Sequence, residues 1–255
     1  MAKYHKDDEP VPGYRLVQYL GSGGSGEVWK ARGPGDVLVA IKMLSIDTER
    51  RLADREVKAL TLLKNIRNPF LLPIFGMWLR DDEGHILLDA DAAGAEAVAG
   101  KTTSRGPGSP TLVVDLKNYR KRSLELVIAM GLGDKTLLDR LKECPEGEGI
   151  PVEELMRYMR DAARGLDYLN AQQHDLGDGQ LVAIYHCDIK PENILIVGGG
   201  VQICDFGLAK VVNPGRSSAT MAGFTPDYVA PEVVVDKLPS PTSDQYSLAI
   251  TYYRL

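Results

Sequence analysis

A string of glycines near the N-terminus is the first place in the sequence where phosphate chemistry is possible. Gly21, Gly23 and Gly26 precede Val28 in a G-x-G-x-x-G-x-V spacing, and glycine lets backbone amides approach phosphates without side-chain obstruction. Dinucleotide folds use a similar spacing, but in them a helix begins at the third glycine. Here residues 27–31 lead through a Gly-Pro-Gly turn into another strand. This favours a glycine-rich hairpin that covers phosphates, with a plain flexible hairpin tip as the alternative.

A lysine at the end of an apolar strand could bind the same phosphates. The strand after the hairpin carries the run Val-Ala-Ile-Lys, which ends at Lys42. A lysine flanked by core residues is costly unless it has a partner. Glu56, on a predicted helix, is a candidate partner that would hold the ammonium toward a nucleotide. A solvated lysine at the strand end is the alternative interpretation.

The densest group of polar side chains lies in the second half of the chain. Residues 186–193 read H-C-D-I-K-P-E-N, and an apolar run follows them at 194–197. Asp-Phe-Gly stands at 205–207 and Ala-Pro-Glu at 230–232. With the glycine string and the Val-Ala-Ile-Lys strand, these motifs occur in the order typical of protein kinases, and the chain resembles that family.

The resemblance implies a role for each polar residue of these motifs. Asp188 would accept the proton of a substrate hydroxyl, and Lys190 would contact the transferred phosphate. Asn193 and Asp205 would hold Mg²⁺, a cation that prefers oxygen ligands. Thr225 resembles the threonine that positions the catalytic loop in Ser/Thr-directed kinases. The resemblance therefore implies transfer of the ATP γ-phosphate to Ser or Thr of protein substrates.

An adenine site is also implied by the resemblance. Met130 resembles the residue at the back of the adenine pocket, and Leu132 lies in the segment that resembles the hinge. Val28 and Ala40 belong to the same nucleotide-binding set. Family members usually have an acidic residue directly after the residue that Met130 resembles, but this chain has Gly131 there. The hinge is also one residue short. A simple connector between two lobes is the alternative.

One position of the catalytic loop departs from the family. Cys187 stands where an arginine usually pairs with a phosphorylated activation loop. A thiol cannot supply that charge. Phosphorylation at Ser217, Ser218 or Thr220 is therefore predicted to be a weak switch or none.

Hydrophobic periodicity and turn residues predict an α+β chain. The resemblance implies a two-lobed protein kinase-like fold, with a small antiparallel sheet lobe that has one main helix and a mainly helical large lobe. The patterns predict strands at 14–20, 27–32, 37–43, 70–79 and 124–130, and helices at 47–63, 136–143 and 152–170.

The domain organisation follows from the same patterns. Residues 1–13 are polar and acidic and predict a disordered tail. Residues 14–130 form the small lobe, interrupted at about 81–123 by an insert whose middle has too little bulky apolar content for a core. Residues 131–255 form the large lobe.

The last residues resemble the start of the long central helix of the large lobe. Asp244, in that helix, is predicted to brace the catalytic loop. Because the chain ends at Leu255 inside this helix, the large lobe is predicted to be incomplete. Glu232 is predicted to lack the arginine that family members supply from later helices.

Charge and composition exclude several partners. The formal net charge is −5 and the isoelectric point about 5.5, which argues against nucleic acid or an anionic membrane as the main partner. No run approaches the roughly 18 apolar residues of a spanning helix. Three cysteines without a C-x-x-C pair argue against a disulfide framework and a zinc site. A cytoplasmic location is predicted for this segment, a membrane tether beyond it is compatible with the sequence, and the oligomeric state stays open.

A catalyst is the leading hypothesis, because the five residues needed for transfer are present: Lys42, Glu56, Asp188, Asn193 and Asp205. The alternative is a nucleotide-binding pseudokinase or scaffold, favoured by the missing loop arginine and the incomplete large lobe. Magnesium-dependent turnover separates these two. A dinucleotide-dependent oxidoreductase is disfavoured because no strand-to-helix unit follows the glycines.

Overall fold

The computed structural model describes residues 3–23, 26–46, 64–89, 124–175, 181–206, 210–212, 225–236 and 238–255. Contacts divide the chain into two compact units. Unit 1 comprises Met1–Asn65 and Pro73–Leu132, and unit 2 comprises Ile66–Leu72 and Gly133–Leu255. Where the structure describes them, unit 1 is built on an antiparallel sheet and unit 2 carries α-helices of up to 19 residues, which confirms the predicted α+β class.

Six antiparallel strands form the sheet of unit 1, in the order β1-β2-β3-β6-β4-β5. The strands are β1 Arg15–Gly23, β2 Gly26–Arg32, β3 Leu38–Ile46, β4 Ile74–Asp81, β5 Ile86–Asp89 and β6 Leu124–Met130. The insert predicted from about residue 81 differs from the structure at its start, because β5 pairs with β4. The rest of the insert and the helix predicted at 47–63 lie outside the described residues.

The two faces of β3 have different surroundings. Side chains alternate across a strand, so Val39, Ile41 and Met43 share one face while Ala40 and Lys42 share the other. The first set belongs to a hydrophobic cluster that includes Trp29, Trp78, Val127 and Ala129. Lys42 is only 4% exposed although it lies on the opposite face. The sheet therefore separates its main cluster from the face that carries the lysine.

The N-terminal arm, residues 3–14, packs onto that hydrophobic cluster. Tyr4 and Val11 are both buried in it, and the Leu16 amide donates to the Asp8 carbonyl at 2.8 Å. This differs from the disordered tail predicted for residues 1–13. The prediction relied on the low apolar content of the segment, but two apolar side chains suffice here because the sheet presents a surface that they cover.

A buried polar network fastens the N-terminal arm to the sheet. The Tyr4 hydroxyl donates to Glu125 of β6, and Arg80 of β4 donates its Nε to Glu125 Oε2 at 2.8 Å. Arg80 also donates to the Pro10 carbonyl at 2.5 Å and to the Tyr4 hydroxyl. Lys3 Nζ lies 3.0 Å from Glu125 Oε1. The carboxylate thus has two cationic partners and a phenol.

This network shifts the ionisation of its members. Burial raises the pKa of Glu125, but hydrogen bonds from Tyr4 and Lys3 and the charge of Arg80 outweigh burial, so the pKa lies below its ordinary value. Burial and the hydrogen bond to Glu125 raise the pKa of Tyr4. Glu125 is therefore held as a carboxylate and Tyr4 as a neutral donor.

Within the described parts of the chain, unit 2 combines four helices with two small sheets. The helices are α1 Leu137–Lys142, α2 Val152–Asn170, α3 Pro231–Asp236 and α4 Ser243–Arg254. The strands are β7 Lys135–Thr136, β8 His174–Asp175, β9 Leu181–Tyr185, β10 Ile194–Val197, β11 Gly200–Ile203 and β12 Lys210–Val212, in the orders β11-β10-β7 and β12-β9-β8. Among the described residues, no helix is both long and apolar enough to cross a membrane.

Local sequence explains where the first two helices form. Thr136 and Asp139 make a capping box at the start of α1, which satisfies two amides that the helix leaves unpaired. Helix α2 covers the range predicted for it, and its apolar stripe is buried. A β-carbon at Gly165 would lie 3.2 Å from side chains of Leu71 and Ile203. The absent side chain therefore lets α2 lie close to β11.

Candidate active site

The loop between β9 and β10 carries the polar cluster that the sequence singles out. A short 3-10 turn at Pro191–Asn193 ends it, and the Asn193 amide donates to the Lys190 carbonyl at 2.9 Å. Ile189 is fully buried beneath it. The Cys204 amide donates to the Asn193 carbonyl at 2.9 Å, which fixes the loop to the end of β11.

Asp188 lies at the centre of this loop and is 9% exposed. Its Oδ1 accepts a hydrogen bond from Thr225 Oγ1 at 2.7 Å. Its Oδ2 accepts from Asn193 Nδ2 at 2.9 Å and lies 2.8 Å from Lys190 Nζ. Lys190 Nζ also donates to Thr225 Oγ1 at 2.9 Å. The structure therefore brings together the four residues predicted to be catalytic.

These contacts leave room on the carboxylate for one more donor. An ionised carboxylate offers about four acceptor positions, and the described contacts of Asp188 from Thr225, Asn193 and Lys190 occupy three of them. The Lys190 side chain is 21% exposed, so it is not sealed in the core. A hydroxyl that approaches the free position would find an acceptor and a cation side by side.

The residues predicted to hold magnesium have suitable donor atoms. Asn193 donates its amide nitrogen to the Asp188 carbonyl at 2.8 Å and to Asp188 Oδ2, so its amide oxygen is the atom left for a cation. Asp205 supplies a carboxylate and has a left-handed backbone with φ 64°. One amide and one carboxylate oxygen are the hard ligands that Mg²⁺ prefers. The donor set therefore fits this ion.

Asp244 of α4 braces the loop from beneath, as the sequence predicts. It accepts from the backbone amides of His186 and Cys187, both at 2.8 Å. Asn170, at the end of α2, lies within 3.2 Å of the same carboxylate when its amide nitrogen is oriented as donor. Asp244 is 1% exposed, and this burial raises its pKa although the hydrogen bonds from both backbone amides and from Asn170 oppose the shift. Cys187 has φ 66°, a conformation that turns consecutive amides toward Asp244.

His186 uses both ring nitrogens inside the loop. Nε2 lies 2.9 Å from the Cys204 carbonyl, and the Asp188 amide donates to Nδ1 at 3.3 Å. A carbonyl can only accept, so this pattern assigns the proton to Nε2. The imidazole also packs against the Phe206 ring, with centroids 5.3 Å apart. His186 is therefore a positioning residue.

Glu232 of α3 has partners that the sequence does not reveal. Its Oε1 accepts from the hydroxyls of Ser240 and Ser243, each at 2.8 Å. Hydrogen bonds from its own backbone amide and from these serines lower its pKa. Two serines are therefore partners of Glu232 in this structure, while the predicted lack of the family's arginine stays a prediction. No short-range pattern could have paired Glu232 with two serines eight and eleven positions away.

The glycine string of unit 1 forms a hairpin, as predicted. Gly21 pairs with Val28 and Gly23 with Gly26 across β1 and β2, so the third glycine begins a strand. A β-carbon at Gly26 would lie 2.0 Å from the Met43 carbonyl oxygen, and its φ is 110°. Gly26 is therefore required by the close approach of β3, whereas a β-carbon at Gly21 would meet no described atom within 4 Å.

The other nucleotide-binding candidates of unit 1 lie on or beside β3 and β6. Ala40 and Met130 are directly paired across these strands, and Val28 is paired with Lys42 across β2 and β3. Leu132 follows Gly131, whose amide donates to the Pro73 carbonyl at 2.9 Å. The remaining predicted residues lie outside the described residues: Glu56, Gly207, Ser217, Ser218 and Thr220.

The chain belongs to the protein kinase family, because the protein kinase domain model matches residues 108–255. That match includes the catalytic loop, Asp205 and Thr225. It confirms the family that the ordered motifs indicate.

Particular relatives extend the likeness over the first half of the chain. The serine/threonine-protein kinase PkaB of Streptomyces coelicolor is 30% identical over 254 residues, which is 95% of this chain and 48% of that protein. Serine/threonine-protein kinase A of Synechocystis is 27% identical over 95% of this chain and 40% of its own length. A death-associated protein kinase related protein of Drosophila melanogaster is 36% identical over 52% of the chain. The chain thus spans less than half the length of each of these relatives.

Proposed function

We propose that this chain transfers the γ-phosphate of ATP to Ser or Thr hydroxyls of protein substrates, with Mg²⁺ as the metal. The observation that carries this proposal is the contact set of Asp188 with Lys190, Asn193 and Thr225. The two bacterial relatives that align along nearly the whole chain are both named as serine/threonine-protein kinases.

The chain's own residues supply positioning and charge. Asp188 orients the substrate hydroxyl and accepts its proton as the oxygen attacks the γ-phosphorus of ATP, while the bond from that phosphorus to the bridging oxygen breaks and ADP leaves. Lys190, held 2.8 Å from Asp188 Oδ2, places a positive charge beside the attacking oxygen, where the transferred phosphoryl group arrives. Thr225 fixes both groups through its hydroxyl. Mg²⁺, when bound by Asn193 and Asp205, supplies neutralisation of the phosphate oxygens.

Unit 1 is proposed to contribute to nucleotide binding. Lys42 would contact the phosphates and Glu56 would pair with it, while Gly21 and Gly23 offer backbone amides. Val28, Ala40, Met130 and Leu132 supply apolar contacts for adenine. The burial of Lys42 supports this role, because a buried ammonium is retained only where it is compensated.

The test is transfer of labelled γ-phosphate from ATP to peptide pools that contain only Ser, only Thr or only Tyr as acceptor. We expect magnesium-dependent transfer to Ser and Thr pools, and at least about a hundredfold lower rate for Asp188→Asn, since a positioned base contributes 10²–10⁴-fold. Asp175 of β8 is exposed, and Asp175→Asn is the matched control. This variant should transfer phosphate at the rate of the wild type. ATP binding without transfer to any pool would support a pseudokinase or scaffold instead.

A further inference from the structure

The segment after Thr225 connects the catalytic aspartate to an exposed arginine. Residues 225–228 form a turn in which the Tyr228 amide donates to the Thr225 carbonyl at 3.1 Å. Arg254, the last residue of α4, lies over the Tyr228 ring at 4.7 Å and contacts Asp227 Oδ2 at 3.1 Å. Ser247 of α4 also donates to the Tyr228 carbonyl at 2.8 Å. Helix α4 therefore holds this turn at its last two residues.

A short series of contacts links Arg254 to the residue that binds Asp188. The ends of a four-residue turn are less than about 7 Å apart, so Tyr228 lies close to Thr225 and hence to Asp188. An extended peptide advances about 3.3 Å per residue. A substrate whose hydroxyl contacts Asp188 would therefore bring residues two to four positions away near the guanidinium.

The chemistry of Arg254 favours an acidic side chain there. Its side chain is 42% exposed and that of Asp227 is 66% exposed, and such surface ion pairs contribute only about 0–1 kcal/mol. A guanidinium has five N–H donors, and Asp227 takes one of them. The ring of Tyr228 holds the guanidinium in place, and arginine is more weakly hydrated than an ammonium. A second carboxylate can therefore join or replace Asp227.

We propose that Arg254 determines substrate specificity by selecting proteins with Asp or Glu two to four residues from the phosphorylated Ser or Thr. This inference rests on the proposed kinase function and names a substrate class for it. Arg254 is the one basic residue among the described residues from 225 to 255. Recognition by this arginine needs no group outside unit 2.

The experiment compares kcat/KM for Thr peptides that carry either Glu or Lys at each position within four residues of the acceptor, using the full chain. The wild type should prefer Glu over Lys by about fivefold at one or more of these positions, as an exposed charge pair and its reversal predict. Arg254→Glu should invert the preference, and Arg254→Lys should retain its sign. Because the readout is a ratio, it does not depend on how much of each variant is folded.

Arg164 provides the matched control. It lies in the same unit, is 58% exposed, pairs with Asp161 at 3.9 Å and lies over the Phe70 ring at 5.7 Å. Arg164→Glu should leave the preference unchanged. Phosphorylation of all peptides with no Glu preference, or an unchanged ratio in Arg254→Glu, would overturn the inference alone. A Lys preference in the wild type would overturn it and assign recognition to Asp227, whereas failure to phosphorylate any peptide would overturn the proposed function as well.

Discussion

Two buried carboxylates, one in each unit, have opposite electrostatic surroundings. Glu125 of unit 1 contacts Lys3 and Arg80, and its pKa lies below the ordinary value. Asp244 of unit 2 accepts from two backbone amides, and burial raises its pKa. Glu125 fastens an arm to a sheet, while Asp244 shapes the loop that carries Asp188.

The difference shows that the two units fix a buried charge by different means. Cationic side chains compensate Glu125, so its ionised form is favoured by folding. Asp244 is compensated mainly by backbone amides whose direction depends on the left-handed backbone at Cys187. The contacts of Glu125 stabilise unit 1. Those of Asp244 hold a loop geometry whose left-handed residue costs some of the stability of unit 2.

Removal of Asp244 should have the largest effect. Asp244→Ala leaves the amides of His186 and Cys187 without their acceptor, and each unsatisfied buried group costs about 1–3 kcal/mol. We expect a loss of about 2–5 kcal/mol in the free energy of unfolding measured by urea titration, together with loss of phosphotransfer. Asp236 of α3 is exposed and serves as the control. Asp236→Ala should change the free energy of unfolding by less than about 0.5 kcal/mol. A small effect at Asp244 would mean that the loop geometry does not depend on the brace.

Truncation of Tyr4 tests whether the N-terminal arm stabilises unit 1. Tyr4→Ala removes a buried ring and the donor to Glu125, and we expect a loss of about 2–4 kcal/mol in thermal or urea unfolding. Tyr4→Phe keeps the ring and should cost about 1 kcal/mol. His5→Ala, whose side chain is 82% exposed, is the neighbouring control. If all three variants unfold with the same free energy as the wild type, the arm does not stabilise unit 1.

The pH dependence of stability should have opposite signs at the two carboxylates. The lowered pKa of Glu125 gives stability that is present above its unfolded pKa and is lost as pH falls through its folded pKa. The raised pKa of Asp244 makes its ionised form unfavourable, so its contribution decreases as pH rises from its unfolded pKa through its folded pKa. These changes should be smaller than truncation because each carboxyl stays in place.

Urea titrations between pH 4 and pH 7 measure both signs. The advantage of the wild type over Glu125→Gln should grow with pH, and its advantage over Asp244→Asn should shrink. The same sign at both positions would contradict the comparison.

The smallest effect is expected at the cap of α1. Thr136 accepts from the Asp139 amide at 3.0 Å, and loss of such a cap costs about 1 kcal/mol. Thr136→Ala should lower the urea midpoint of unit 2 accordingly. Thr136→Ser should retain most of the stability that the cap contributes, because its hydroxyl can accept the same hydrogen bond. The strand pair of Thr136 with Leu195 links this cap to β10, so a loss well above 1 kcal/mol would indicate that the cap also positions the catalytic loop.

The sequence predicts the catalytic loop better than the elements that support it. Asp188, Lys190 and Asn193 lie within six positions and Thr225 precedes a recognisable motif, so local spacing was sufficient to predict that they lie together, while their catalytic roles stay predictions. Tyr4 and Glu125 are 121 residues apart, and the polar composition around Tyr4 resembles a tail. Their pairing arises from sheet register and burial, which no local pattern encodes. The pairing of Lys42 with Glu56 stays a prediction.

The glycine hairpin has a consequence for protein labelling. Because the β-carbon position of Gly21 is open to at least 4 Å among the described atoms while that of Gly26 lies against the Met43 carbonyl, the two glycines differ in what can be attached there. A cysteine at position 21 can carry a fluorophore without disturbing the strand pair, whereas any side chain at position 26 would push β2 away from β3. Under the proposed function, the hairpin thus offers one site for an optical reporter of nucleotide occupancy and one that must stay bare.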